Sequence, residues 1–246
     1  MYVRLKHALS ALALDVVKAP ALDARRAEVA WLRAYCEHAS RLPARHSFAV
    51  PLAKVARRAR PFAADRTAPR RLARRGVLEI DAGALWLPAG FHTHFAYMDR
   101  QVRRLAAVAR TLVGARLPRG TAGAVRRGAA LFDGGLFFEC HEYLEGLWRN
   151  APEATKPFYQ GVILVAAAFY HYEKANLHGA RVKLASGIDR LRECPPVWHG
   201  VHLGRWLSAL APWQDRVEAG LPAGILKVSE IPKIPLVRTG GRRGSR

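Results

Sequence analysis

Acidic residues are scarce in this 246-residue chain: 19 Asp+Glu stand against 40 Lys+Arg, a formal charge of +21. A surplus of that size suits a polyanionic partner better than a small neutral substrate. Cysteine is scarce too. Cys36, Cys140 and Cys194 lie far apart and form no Cys-x-x-Cys pair, which excludes a disulfide framework and a thiolate metal cluster and predicts a reducing, cytoplasmic setting. Long apolar runs are missing: residues 162–170 fall well short of the roughly 20 needed to cross a bilayer, so no membrane partner is expected. The opening 21 residues hold an apolar run at 8–14, but Asp15 and Lys18 interrupt it, and the segment reads as an ordinary helix rather than a secretory leader. No glycine-rich phosphate loop with its Lys-Ser/Thr, no dinucleotide spacing and no Ser/His/Asp arrangement is legible, so no reaction can be named and the chain reads as non-enzymatic. No cofactor is implied.

What is present is a hydrophobic fraction of 50%, ample for a packed core, and an uneven distribution of charge. Residues 1–128 carry 25 Lys+Arg against 8 Asp+Glu, residues 129–228 carry 10 against 10, and residues 229–246 carry 5 against 1. A coding bias toward arginine would raise both halves alike. The asymmetry therefore predicts two regions with separate tasks: a basic domain at 1–90, a connecting helix and linker at 91–123, a helical bundle at 124–228 and a disordered basic tail at 229–246.

In the front half, 23–38 has the spacing of an amphipathic helix, and 51–60 that of a short one opened by Pro51 and closed before Pro61. Asp65 or Thr67 can cap a third helix, which Gly76 ends. Alternating apolar residues then flank Asp81-Ala-Gly83, the signature of a β-hairpin. Helix, helix, arginine-rich helix and hairpin in this order resemble a winged helix-turn-helix domain, with the third helix as reader. Lys54, Arg57, Arg58, Arg66, Arg70, Arg71, Arg74 and Arg75, with Arg60, surround only one acid, Asp65, and form a candidate phosphate footprint for DNA. Asn and Gln, which read adenine, are few, but arginine reads guanine. The alternative is a solvated arginine face on a domain that contacts protein. Residues 95–113 follow as an amphipathic helix with Met98, Val102, Leu105, Val108 and Leu112 on one stripe.

The back half centres on Phe138-Glu-Cys-His-Glu-Tyr-Leu-Glu-Gly-Leu-Trp-Arg149. At about 100° per residue, Phe138, His141, Glu145 and Trp148 share an arc that this spacing predicts to face the core. Glu139 and Glu142 fall off that arc and read as solvated charges. An antiparallel partner helix from Pro157 brings Gln160, Leu164, Ala167 and His171 onto one stripe. With the turn centred near Glu153, Gln160 lies beside Glu145 and Trp148, whereas His171 lies too far along the axis to share a ligand with His141. The pattern Phe137-x-Glu139-x-His141-Glu142-x-x-Glu145-x-x-Trp148, followed by Gln160-Gly161, His171 and Asn176-x-x-Gly179-Ala180, resembles the family known as domain of unknown function 309 over about a quarter of the chain. The resemblance implies a helical fold and carries no biochemical role.

Two readings of His141, Glu142, Glu145, Trp148, Gln160 and His171 stay open. One is a satisfied polar network inside the bundle. The other is a metal-dependent enzyme site centred on His141 and Glu145, although the His-x-x-x-Glu spacing differs from that of di-metal bundles and occurs once. Helices at 179–193 and 197–210 complete the predicted bundle, whose apolar faces would suit ligand sensing, a homo-oligomer or a protein-interaction module. The expected class is mainly α: a winged-helix-like domain with a small hairpin, then an antiparallel bundle.

Overall fold

The computed structural model describes residues 2–19, 23–43, 48–115 and 117–237. The chain divides between Arg116 and Leu117 into two compact units, and the described residues are mainly helical with two small antiparallel sheets. No described helix is long and apolar enough to cross a membrane.

Unit 1 runs α1 (Tyr2–Lys18), α2 (Asp23–Ala39), β1 (Val50–Pro51), α3 (Leu52–Arg58), a 3-10 turn at Phe62–Ala64, α4 (Ala68–Arg74), β2 (Glu79–Asp81), β3 (Ala84–Trp86), a second 3-10 turn at Ala89–His94 and α5 (Phe95–Gly114). Met98, Val102, Leu105, Val108 and Leu112 are buried as their spacing predicts, and α5 packs against α2 and α1. The helix at 95–114 is therefore part of the unit 1 core, which corrects its reading as a connector. Asp65 Oδ1 accepts from the backbone N–H groups of Thr67 (3.0 Å) and Ala68 (3.1 Å), opening α4. Gly76, at φ +67°, closes it: its N–H bonds Ala73 O (2.8 Å) and that of Val77 bonds Leu72 O (3.2 Å). Ala82 and Gly83 both have positive φ (46° and 73°), a turn whose twist matches that of the strands it joins. The two-residue strand β1 was not legible in the sequence. It pairs Val50 with Leu85, giving the order β1-β3-β2, and Pro51 is tolerated because it lies on the edge.

Unit 2 runs α6 (Gly120–Asp133), α7 (Phe137–Trp148), a 3-10 turn at Glu153–Thr155, α8 (Lys156–Glu173), α9 (Leu177–Arg192), β4 (Val197–Trp198), β5 (Val201–His202), α10 (Leu203–Glu218) and a 3-10 turn at Val228–Glu230. The glycine cluster read as a linker is in part the start of α6. A Cβ on Gly123 would lie 1.9 Å from Pro118 O, so glycine there admits a close backbone approach. α7 and α8 are antiparallel, with ring contacts between Phe137 and Phe169 (5.3 Å) and between Phe138 and Tyr170 (5.6 Å), the level expected for a turn near Glu153. Phe132 anchors the core edge-to-face against Phe137, Phe169 and Trp206. The helix expected from Val197 starts only at Leu203. The residues before it form a hairpin around His199 and Gly200, both at positive φ.

Residues 229–237 correct the expectation of a disordered tail. Ile231 and Ile234 are buried, and Trp206 Nε1 donates to Pro232 O (3.0 Å). Val237 N–H donates to Gly200 O and His202 N–H to Pro235 O, both at 2.8 Å, so the segment lines the edge of β5. Two prolines suppress helix but suit an edge. Residues 238–246, the rest of the predicted tail, lie outside the described residues.

This strap is held at Asp133, whose Oδ1 accepts from Ile234 N–H at 2.9 Å. Burial pushes the Asp133 carboxyl up to about 6, outweighing the Ile234 hydrogen bond and the nearby Lys233 charge. A carboxyl with a folded pKa above its unfolded value of about 3.9 binds more protons when folded, so unit 2 loses stability as pH rises from about 4 to about 6. Asp133→Asn keeps an oxygen for Ile234 and removes the charge. It is expected to add about 1–2 kcal/mol at pH 7.5, allowing for solvent screening, and almost nothing at pH 4. Urea denaturation at the two pH values checks this, and an equal effect at both would refute it.

Candidate functional site

Eight cations are expected on one surface of unit 1, and the structure divides them. Arg66, Arg70 and Arg74 are exposed, at one-turn intervals along α4 and the residues before it; Lys54 and Arg57 are exposed on α3. None of these five makes an ion pair with a described residue. Arg58 is also exposed, but its Nε donates to Glu37 at 2.5 Å. Arg71 and Arg75 turn inward toward Glu28, which is 0% exposed. Arg71 Nε donates to Glu28 Oε1 (3.1 Å), Arg75 Nε to Oε2 (2.6 Å) and Arg25 Nη1 to Oε1 (3.0 Å). Arg71 also bonds Asp65 (2.7 Å) and Ala24 O (3.0 Å), and Arg75 bonds Asp15 (2.7 Å). Burial tends to raise the Asp65 carboxyl, but hydrogen bonds from Arg71 and Thr67 hold it down at about 2. Arg71 and Arg75 are thus ties between α4, α2 and α1, not members of an open phosphate face.

Glu28 was missed, although a signal existed: it lies in helical phase with Leu32, Tyr35 and Ala39, all buried. A carboxylate on an apolar stripe calls for cationic partners. The hairpin offers little to a polyanion, since β2 presents exposed Glu79 and Asp81. Of the eight expected cations, those left open to a polyanion are Lys54 and Arg57 on α3 and Arg66, Arg70 and Arg74 on and just before α4.

In unit 2 the buried face of α7 is Phe137, Cys140, Tyr143 and Leu144, together with Glu139 at 3% exposure. His141 and Glu145 side chains are each 31% exposed and Glu142 40%. This overturns two expectations: His141 and Glu145 do not face the core, and Glu139 is not solvated. α6 is the cause. It covers α7 where the Cys140 thiol donates to Gly128 O (3.4 Å), turning the buried arc by about one residue.

His141 Nδ1 lies 3.3 Å from Glu142 Oε1 and 3.9 Å from Glu145 Oε2, while Arg149 Nη2 donates to Glu145 Oε1 at 2.9 Å. That hydrogen bond draws the Glu145 carboxyl below the usual carboxylate range. His141, Glu142 and Glu145 offer donor atoms within 4.8 Å of one another, the grouping among the described residues that could hold a metal ion. One imidazole and two carboxylates on a half-exposed face would leave further coordination positions to water.

The wider network expected through Gln160 does not form. Trp148 Nε1 is buried and makes no hydrogen bond to a described residue, and no bond joins Gln160 to Glu145. His171 stands apart from this group, as its axial level predicts. Its Nδ1 accepts from Asn176 Nδ2 (3.1 Å), which places the ring proton on Nε2; burial and Lys183 lower its pKa. Asn176 Oδ1 in turn accepts from Gly179 N–H (2.8 Å) and caps α9. Phe138, His141, Glu145 and Trp148 of α7 and Gln160, Leu164, Ala167 and His171 of α8 are all half-buried, so the motif marks the border of the helical pair rather than its centre.

No solved structure matches the chain. A 57-residue segment is 40% identical to the uncharacterized protein YpuF of Bacillus subtilis (strain 168), covering 23% of this chain and 33% of that protein. The chain thus spans about a third of the length of this relative. Residues 125–182, which comprise most of α6, all of α7 and α8 and the first turns of α9, match the family model described as Domain of unknown function (DUF309).

Proposed function

We propose that unit 1 is a nucleic-acid-binding domain of winged helix-turn-helix type that meets duplex DNA with the exposed side of α4. The observation that carries this reading is the row Arg66, Arg70 and Arg74, exposed at one-turn intervals on and just before α4 and uncommitted to any described acid, with α4 held from behind by Arg71 and Arg75. Guanidinium groups so placed meet phosphate without first breaking an internal ion pair. The order of α2, β1, α3, α4, β2 and β3 and the sheet order β1-β3-β2 support the assignment. Lys54 and Arg57 extend the footprint, whereas Glu79 and Asp81 keep the hairpin off the backbone. Unit 2, whose residues 129–228 carry as many acids as bases, serves in this reading as a separate module for ligand sensing or self-association.

Fluorescence anisotropy with a labelled duplex tests the reading. The full chain is expected to bind with affinity that falls steeply with salt, and reversal of Arg66, Arg70 and Arg74 to glutamate should abolish binding at moderate salt. Each phosphate no longer neutralised should reduce the slope of log affinity against log salt by nearly one. Binding unchanged in the triple variant, or absent from the wild type at low salt, would exclude α4 as a DNA-reading element.

A further inference from the structure

A groove of about 580 Å³ opens between α2, the turn after α3 and α5. Its floor is written in the sequence as alanine: Ala30 and Ala34 one turn apart on α2, Ala106 and Ala109 on α5. Where two helices present methyl groups to each other, neither fills the space between them, and the floor is apolar. The rim is cationic. Arg26, Arg33, Arg58, Arg60 and Arg110 line it with one acid, Glu37. Glu37 is already shared by Arg33 (2.9 Å) and Arg58 (2.5 Å), and those contacts hold its carboxyl below the usual range against the opposing effect of burial. Arg26 is engaged by Asp23. Arg60 and Arg110 make no ion pair with a described residue.

The groove continues into a second hollow of about 490 Å³, which shares Arg33, Glu37, Arg58 and Arg110 and adds Arg41 and Arg103 opposite Asp99. An apolar floor thus leads directly into a cation-rich chamber. We propose that this double groove binds a small amphipathic anion, with an acyl or aryl chain against the alanine floor and a phosphate or carboxylate head among Arg58, Arg60 and Arg110. Each part supplies what the other lacks: the chain removes apolar surface from water, while guanidinium forks recognise an oxyanion in two-point contact. The inference does not depend on DNA binding, because Arg66, Arg70 and Arg74 do not line the groove.

Titration calorimetry of the full chain with octyl phosphate, octanol and inorganic phosphate tests it. Saturable one-to-one binding of octyl phosphate, at least tenfold tighter than either half alone, is expected. The double variant Arg60→Glu/Arg110→Glu, both exposed positions, should weaken it at least tenfold with an unchanged circular dichroism spectrum, and Ala109→Phe should block it by filling the floor. The variant reversed at Arg66, Arg70 and Arg74 should bind octyl phosphate like the wild type, whatever its DNA binding. Equal affinity for inorganic phosphate, undiminished binding in the Arg60/Arg110 variant, or sedimentation with phosphatidylglycerol vesicles but no response to free octyl phosphate would each overturn the proposal.

Discussion

Replacing Glu28 by alanine is expected to cost unit 1 about 3–5 kcal/mol, because Arg71, Arg75 and Arg25 would then converge on a site with no counter-charge. The magnitude follows from burial: the carboxylate is fully enclosed, and both its oxygens are used. Glu28→Gln keeps the shape and one acceptor oxygen and should recover only part of the loss. Hydrogen exchange followed by mass spectrometry on the full chain should show faster exchange in α1, α2 and α4, the elements that Asp15, Glu28 and Arg71 tie together. A loss below about 1 kcal/mol would place this cluster with exposed ion pairs, which contribute little. Joint replacement of Glu28, Arg71 and Arg75 by apolar residues of similar volume should restore part of the stability, since removing buried partners together is less costly than removing one, and Arg25 keeps Asp15 as a partner at 3.6 Å.

Gly187→Ala is the second large effect, and it runs against helix propensity. α8 and α9 approach closely through a reciprocal pair: a Cβ on Gly187 would meet Val165 N and Cγ2 at 2.9 Å and Gly161 O at 3.0 Å, and one on Gly161 would meet Leu191 Cδ2 at 2.8 Å. Two of the obstacles to Gly187→Ala are backbone atoms, which cannot rotate away. Overpacking should outweigh the roughly 1 kcal/mol that alanine gains in a helix and leave a net loss of about 2 kcal/mol. Gly146→Ala in α7 is the matched control: nothing lies within 4 Å of its added Cβ, so the propensity gain should appear as increased stability. Chemical denaturation of both variants under one condition decides the matter. Changes of the same sign would mean that the close approach does not limit the packing.

The elements that could be read from the sequence were those whose own spacing decides their structure. α5 buries the stripe that its periodicity names, Gly76 stops α4, and the hairpin turns at Ala82 and Gly83. Misreadings arose where a distant element decides. His141 and Glu145 follow the phase of α7 taken alone, but α6 occupies the side that Cys140 faces and moves the pair to the margin. Arg71 and Arg75 looked like members of a basic surface because the acids that draw them inward are remote in sequence: Glu28 lies 43 and 47 positions away, and Asp15 lies 60 from Arg75, while only Asp65 is near Arg71. β1 is only two residues long and has no periodicity to read. The groove in unit 1 was overlooked for a related reason: alanine in a helix looks like good propensity until a second alanine helix faces it.

The strap at 231–237 bears on how unit 2 is made. Asp133 and Ile234 are 101 positions apart, and Arg126 Nη2 reaches Val237 O across 111. A chain still on the ribosome, or cut after residue 230, has α6 to α10 in hand but leaves the β5 edge and the Trp206 indole N–H without their backbone partners. Unit 1 ends at Arg116, so its whole sequence is available to fold while unit 2 is still being translated.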